Sequence, residues 1–160
     1  MTGTRAPDAV APRRTDSPEA TERLGEAFAA HLAVGDLVVL TGPLGAGKTR
    51  LVAGLARGLG ARGRVRSPSF TLLHEYAGTL PLFHADLYRL ETREVDALGL
   101  DEALERGALV VEWGERLPGA SLGDALTITF TIDGEHARGL SANATGPRGA
   151  ELLTAWRALP

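Results

Sequence analysis

Cysteine is absent from this 160-residue chain, which removes disulfides, thiolate metal sites and cysteine nucleophiles together. Glutamine is absent too and Asn143 is the only asparagine, so a mechanism that needs a catalytic glutamine cannot be built here. No apolar run approaches the ~20 residues that cross a bilayer. The amino-terminal stretch lacks the apolar centre of a signal peptide, so a cytoplasmic location without a membrane partner is expected. Lysine is almost missing: sixteen arginines accompany the single Lys48, as though arginine had replaced lysine wherever it could serve. A formal net charge of -3 gives no electrostatic reason to expect duplex nucleic acid as the main ligand. Chemistry therefore falls to carboxylates, hydroxyls, histidines or a bound cofactor.

With 44% hydrophobic and 23% charged residues, the sequence fits one globular domain and lies outside the disordered class. Residues 1–16 mix Thr, Arg, Pro, Ala and Asp without periodicity and read as a flexible arm, leaving residues 17–160 as the domain. Ser17-Pro18-Glu19 supplies an N-cap, a proline at the first helical position and an acidic first turn. A helix is expected from there to about residue 33. Leu37-Val38-Val39-Leu40-Thr41 reads as a buried parallel strand, followed by glycines and then a helical pattern over 49–59. Strand patterns return over 70–76, 80–86 and 108–112, with helix over 92–106 interrupted near Gly99. Residues 126–132 alternate, Asp133-Gly134 marks a hairpin turn into 137–142, and a helix closes the chain over 149–159. This alternation predicts an α/β, three-layer fold of the P-loop NTPase type. Its central sheet would be mostly parallel, with helices on both faces and a hairpin extension.

Gly42-Pro43-Leu44-Gly45-Ala46-Gly47-Lys48-Thr49 matches G-x-x-x-x-G-K-[ST] at every required position. Glycines let consecutive backbone N–H groups turn inward around phosphate oxygens, and the helix opening at the lysine aims its positive end at them. Lys48 would reach the β- and γ-phosphates, and the Thr49 hydroxyl would ligate Mg2+. The strand before the loop and the helix after it are what this mechanism requires. Asn-Lys-x-Asp, the guanine-reading sequence, is missing, so ATP is the expected nucleotide.

A P-loop enzyme also needs a carboxylate at a strand end near the metal and the attacking oxygen. Asp86 and Glu112 each close an apolar strand, and either can serve as base or water-positioning group. His31, His74, His84 and His136 lack metal-ligand spacing, and packing or surface roles are expected for each. Arg57, Arg62, Arg64 and Arg66 form a basic run that reads as a solvated face, with docking of protein or RNA as the alternative. Trp113 is either core or an aromatic wall of the site.

Beyond the loop, Ser67-Pro68-Ser69-Phe70-Thr71-Leu72 with Tyr76, His84-Ala85-Asp86-Leu87-Tyr88-Arg89-Leu90, Leu98-Gly99-Leu100 and Val111-Glu112-Trp113 follow in an order and spacing that resembles the TsaE (formerly YjeE) family. That family comprises small bacterial ATPases required for threonylcarbamoyladenosine in tRNA. The resemblance implies that Thr49 and Glu112 are the magnesium pair and that Asp86 is an acid of a switch region needed for hydrolysis. It also implies that Ser67, Pro68, Ser69, Phe70 and Thr71 form a switch that senses the γ-phosphate, and that Arg138 lies against the nucleotide base. Pro43 replaces the family's usual Asp or Asn and removes one backbone donor from the loop mouth. Ser69 replaces Thr and keeps the hydroxyl.

The implied partners are TsaD and TsaB, with tRNA reached only through that pair, and with ATP turnover resetting the complex. Turnover by the chain alone should be slow. Two other readings stand beside this one. In a small-molecule P-loop kinase Asp86 would deprotonate an acceptor hydroxyl, although no arginine-rich lid insertion is visible. In a nucleotide-gated binding module occupancy rather than hydrolysis would matter.

Overall fold

The strands and helices fall close to where the alternation puts them. The computed structural model describes residues 12–66, 68, 73–88, 90, 92–95, 98–117 and 123–160. Its strands are β1 (Arg13–Thr15), β2 (Leu37–Thr41), β3 (Leu73–Tyr76), β4 (Leu82–Asp86), β5 (Ala108–Glu112), β6 (Ala125–Ile132) and β7 (Arg138–Thr145). Its helices are α1 (Pro18–Ala29), α2 (Lys48–Gly58), α3 (Thr92–Val95), α4 (Leu100–Arg106) and α5 (Gly146–Arg157). The strands form one seven-stranded sheet in the order β1-β7-β6-β2-β5-β4-β3. The central four, β6-β2-β5-β4, are parallel; β3 joins one edge antiparallel, and β7 and β1 the other. The expected hairpin is thus part of the sheet itself, because β6 pairs with β2.

Strands β2 and β5 are apolar almost throughout, and their two-residue period sorts them between two cores. Val38, Leu40 and Val110 point with Leu126 and Ile128 toward Phe28, Leu51, Leu55 and Trp156, the layer of α1, α2 and α5. Leu37, Val39, Leu109 and Val111 point the other way, with Phe83 and Ala85, toward Val95 and Ala103 of α3 and α4. Three layers result. Helices α1 and α2 pack backbone to backbone: a Cβ built on Gly54 would sit 2.0 Å from the Glu22 carbonyl oxygen, and one on Gly25 2.5 Å from that of Leu51.

Three boundaries differ from the sequence reading, each for a tertiary reason. Residues 13–15 are strand rather than flexible arm, because Arg13, Arg14 and Thr15 pair with Leu140, Gly139 and Arg138. The Arg13 guanidinium also donates to the Leu159 carbonyl at 2.7 Å, and the Thr15 and Thr21 hydroxyls bond at 2.8 Å. Helix α1 does open at Ser17, whose Oγ accepts from the Ala20 N–H at 3.0 Å, but it stops at Ala29. Just beyond, the Asp36 carboxylate takes the Ala33 N–H at 2.7 Å, a local bond that competes with further helix. Strand β7 runs on to Thr145, so α5 begins at Gly146.

Candidate functional site

The glycine loop spans the gap between the end of β2 and the start of α2. Gly45 and Gly47 hold φ of 80° and 99°, in the left-handed region where a side chain is strained, so the loop needs glycine at both. Lys48, 4% exposed, folds its ammonium back onto the loop and donates to the carbonyls of Gly42 at 2.7 Å and Pro43 at 3.0 Å. Its Nζ also lies 4.1 Å from the centroid of the Trp113 ring. Burial pushes the Lys48 pKa below the usual lysine value, against the opposing pull of Glu112, Glu115 and Asp86.

Both candidate acids stand at the same level of the sheet. Asp86 closes β4 and Glu112 closes β5, and the two are register partners. Glu112 is 3% exposed, and the Thr49 hydroxyl donates to its carboxylate at 2.9 and 3.0 Å from the two oxygens. Asp86 is half-buried, and its Oδ1 accepts from the Tyr88 N–H at 2.9 Å. Together with the loop, Arg50 and Trp113, the two acids line a cleft of about 340 Å³.

Trp113 is the only non-glycine residue with positive φ, 60°, among the described residues. This turn directly after Glu112 carries the indole over Lys48 and to 4.8 Å, centroid to centroid, from the Tyr88 ring. Of the two roles left open for it, Trp113 takes both: it lines the cleft and packs against the core on the α3–α4 side of the sheet. Backbone strain of this kind gathers where a side chain must be aimed.

His84 is packed in the interior, one of the two roles expected for it, and there it makes a specific polar contact. It is fully buried, and its Nε2 lies 2.5 Å from Oε2 of Glu112. On its far side Nδ1 lies 3.5 Å from the Tyr76 hydroxyl, which donates to the Arg66 carbonyl at 3.2 Å. A signal was available in the sequence. Along a strand, His84 and Asp86 share a face, and that is the face which Glu112 presents from the neighbouring strand. Only the register of β4 against β5 was missing.

Arg138, expected against the nucleotide base, stands beside the glycine loop. Its guanidinium donates to the carbonyls of Ala137 at 2.9 Å and Gly134 at 3.0 Å in the hairpin turn, and to that of Gly45 at 3.4 Å. Between this hairpin, Ser17, Pro18 and the outer side of the loop lies a second cleft of about 190 Å³. Of the proposed switch, Pro68 is buried, whereas Ser67, Ser69, Phe70 and Thr71 lie outside the described residues. The basic run divides. Arg57 is held by Glu22 at 2.9 Å and Glu26 at 3.4 Å across the α1–α2 seam, while Arg62, Arg64 and Arg66 are exposed.

No cluster of three or more His, Asp or Glu suited to a metal occurs among the described residues. A hard cation needs less protein than that here. One hydroxyl and one carboxylate in contact, Thr49 and Glu112, match the few protein oxygens that magnesium takes when phosphates and water complete its octahedron. The donor set therefore fits magnesium. Among the described residues no helix is long and apolar enough to cross a membrane.

A glycine loop between a central parallel strand and a helix, with acids closing the adjacent strand β5 and the strand β4 beyond it, defines a P-loop NTPase-like domain. The family model described as threonylcarbamoyl adenosine biosynthesis protein TsaE matches residues 15–140. The tRNA threonylcarbamoyladenosine biosynthesis protein TsaE of Bacillus subtilis is 40% identical over 137 residues, covering 84% of this chain and 86% of that one. Its namesake from Synechocystis is 49% identical over 105 residues, 62% of this chain and 67% of its own. The crystal structure of Bacillus subtilis YdiB superposes with a TM-score of 0.75 at 36% identity, covering 91% of this chain and 92% of that one. The chain belongs to the TsaE family.

Proposed function

We propose that this chain binds Mg-ATP in the 42–49 loop and hydrolyses it as an accessory to threonylcarbamoyladenosine formation in tRNA. It would act on the TsaB–TsaD pair and meet tRNA only through it. The observation that carries the reading is the contact between the Thr49 hydroxyl and the buried Glu112 carboxylate, 2.9 Å apart in the cleft that also holds Lys48 and Asp86. Magnesium, when bound, would neutralise charge on the phosphate oxygens. The side chains divide the remaining work. Thr49 and Glu112 would hold the ion, and Lys48 would exchange its two loop carbonyls for phosphate oxygens, which repay the desolvation of its ammonium. In a chain without glutamine, Asp86 is the group left to orient the attacking water. Arg138, beside Gly45, would close the nucleotide in at the second cleft.

The test is magnesium-dependent ATP hydrolysis by the purified chain, with and without TsaB–TsaD from the same organism. Stimulation together with multiple rounds of tRNA modification is expected. ATP binding with no stimulation would overturn the accessory role, and ADP release that depends on a small acceptor would point instead to a kinase.

A further inference from the structure

We propose that His84 is a positioning residue of this site. Backed by Tyr76, it fixes the orientation of the Glu112 carboxylate and ties it to the backbone at Arg66. The proposal rests on the reading of Thr49 and Glu112 as the metal pair.

Four polar groups form one line through the sheet: the Thr49 hydroxyl, the Glu112 carboxylate, the His84 imidazole and the Tyr76 hydroxyl, whose single proton is shared between Nδ1 of His84 at 3.5 Å and the Arg66 carbonyl at 3.2 Å. His84 is 0% exposed, Glu112 3% and Tyr76 8%, so water does not substitute for a lost partner within the line. A carboxylate buried among the apolar ends of β2 and β5 carries a large desolvation cost unless its oxygens accept hydrogen bonds. Thr49 supplies one donor from the loop side. His84 supplies the other from beneath, on Oε2, so that this oxygen is held by both groups while Oε1 faces Thr49 alone.

Parallel pairing sets this up. Asp86 is the register partner of Glu112, and His84, two residues back on the same face of β4, lies one layer deeper. Glu112 therefore reaches back along the sheet to His84 while Asp86 stays in the cleft. Tyr76 packs its ring 6.1 Å from that of His84, and it lies on β3, which pairs with β4. Through its hydroxyl the line leaves the sheet at Arg66, the last described residue before Ser67. Groups that hold a metal-binding side chain from behind set metal affinity as well as orientation. A ligand carboxylate held in one rotamer gives up no freedom when the ion arrives.

Three variants separate this role from plain packing. In His84→Asn the amide keeps a polar group near Tyr76 but is too short to reach Glu112; in His84→Gln the amide nitrogen reaches the place of Nε2. Tyr76→Phe removes only the hydroxyl. The readout is mant-ATP affinity titrated with magnesium, alongside affinity in a chelator. The magnesium concentration at half effect should rise roughly tenfold or more in His84→Asn, return to about threefold or less in His84→Gln, and rise about threefold in Tyr76→Phe. Magnesium-free affinity should stay within about twofold in all three, since no phosphate contact is touched. A folded His84→Asn chain with an unmoved magnesium midpoint overturns the proposal. Should that chain not fold, Tyr76→Phe decides, and an unmoved midpoint there overturns the line from Glu112 to Arg66. A wild-type chain that binds mant-ATP with no response to magnesium refutes the metal reading itself, which keeps the two failures apart.

Discussion

Arg148 offers the sharpest stability test in the fold. It stands in the first turn of α5, and its Nε and one Nη each donate to the Asp36 carboxylate at 2.8 Å, while the same Nη donates to the His31 carbonyl at 3.0 Å. Asp36 is 2% exposed and immediately precedes β2, the strand that feeds the glycine loop. Hydrogen bonding to Asp36 holds the Arg148 pKa above the usual arginine value. Arg148→Met keeps the aliphatic stem and strips both donors, leaving the carboxylate with the Ala33 N–H among its present partners. Breaking a buried pair in this way costs about 3–5 kcal/mol. The Arg148 side chain is 35% exposed, however, so water enters from its side and screens what remains. The expected loss is about 2 kcal/mol, or roughly 4–8 °C in Tm for a domain of this size. Urea unfolding of wild type, Arg148→Met, Asp36→Asn and the double variant gives both the loss and the coupling. A loss under ~0.5 kcal/mol, or strictly additive single changes, would refute the clamp.

Gly54→Ala should cost about 1–3 kcal/mol or more, since its Cβ meets the Glu22 backbone at 2.0 Å; an unchanged thermal melt would mean that α1 and α2 are not so close. Trp113→Phe should abolish the change in tryptophan emission on nucleotide binding, because the only other tryptophan, Trp156, is buried against Phe28 away from Lys48. Persistence of that change would place the nucleotide elsewhere. Burial raises the Tyr76 pKa above 10.0 in the folded chain, so the stability linked to its proton is complete below pH 10.0 and is lost as pH rises through the higher folded value. The stability of wild type relative to Tyr76→Phe should therefore fall from pH 10.0 upward, and a constant difference would contradict the shift.

Local signals in the sequence located the loop, the parallel strands around it and both acids, because each depends on its own neighbours: glycines at fixed offsets, apolar runs, a polar residue closing each run. Thr49 and Glu112 could be named, but their contact depends on β5 lying beside β2, which no local pattern states. The contact of His84 with Glu112 is hidden for the same reason: a histidine packed in the core and one bonded to a buried carboxylate look alike until the neighbouring strand is in register. Residues 13–15 carry no strand signature of their own, with two arginines and a threonine, and become strand only because the free edge of β7 accepts them. Where a partner distant in sequence decides the outcome, composition and spacing fall silent.

The pairing of β1 with β7 also makes one thermodynamic unit of two things that look separate. Thr15 is the register partner of Arg138, whose guanidinium touches the glycine loop at Gly45, and Ser17 and Pro18 line the same small cleft. A molecule that binds the cleft only while the edge strand is paired would, by reciprocity, lower the population in which that strand is open. Amide hydrogen exchange at residues 13–15 thus becomes a remote gauge of occupancy at the loop, readable without a label on the ligand.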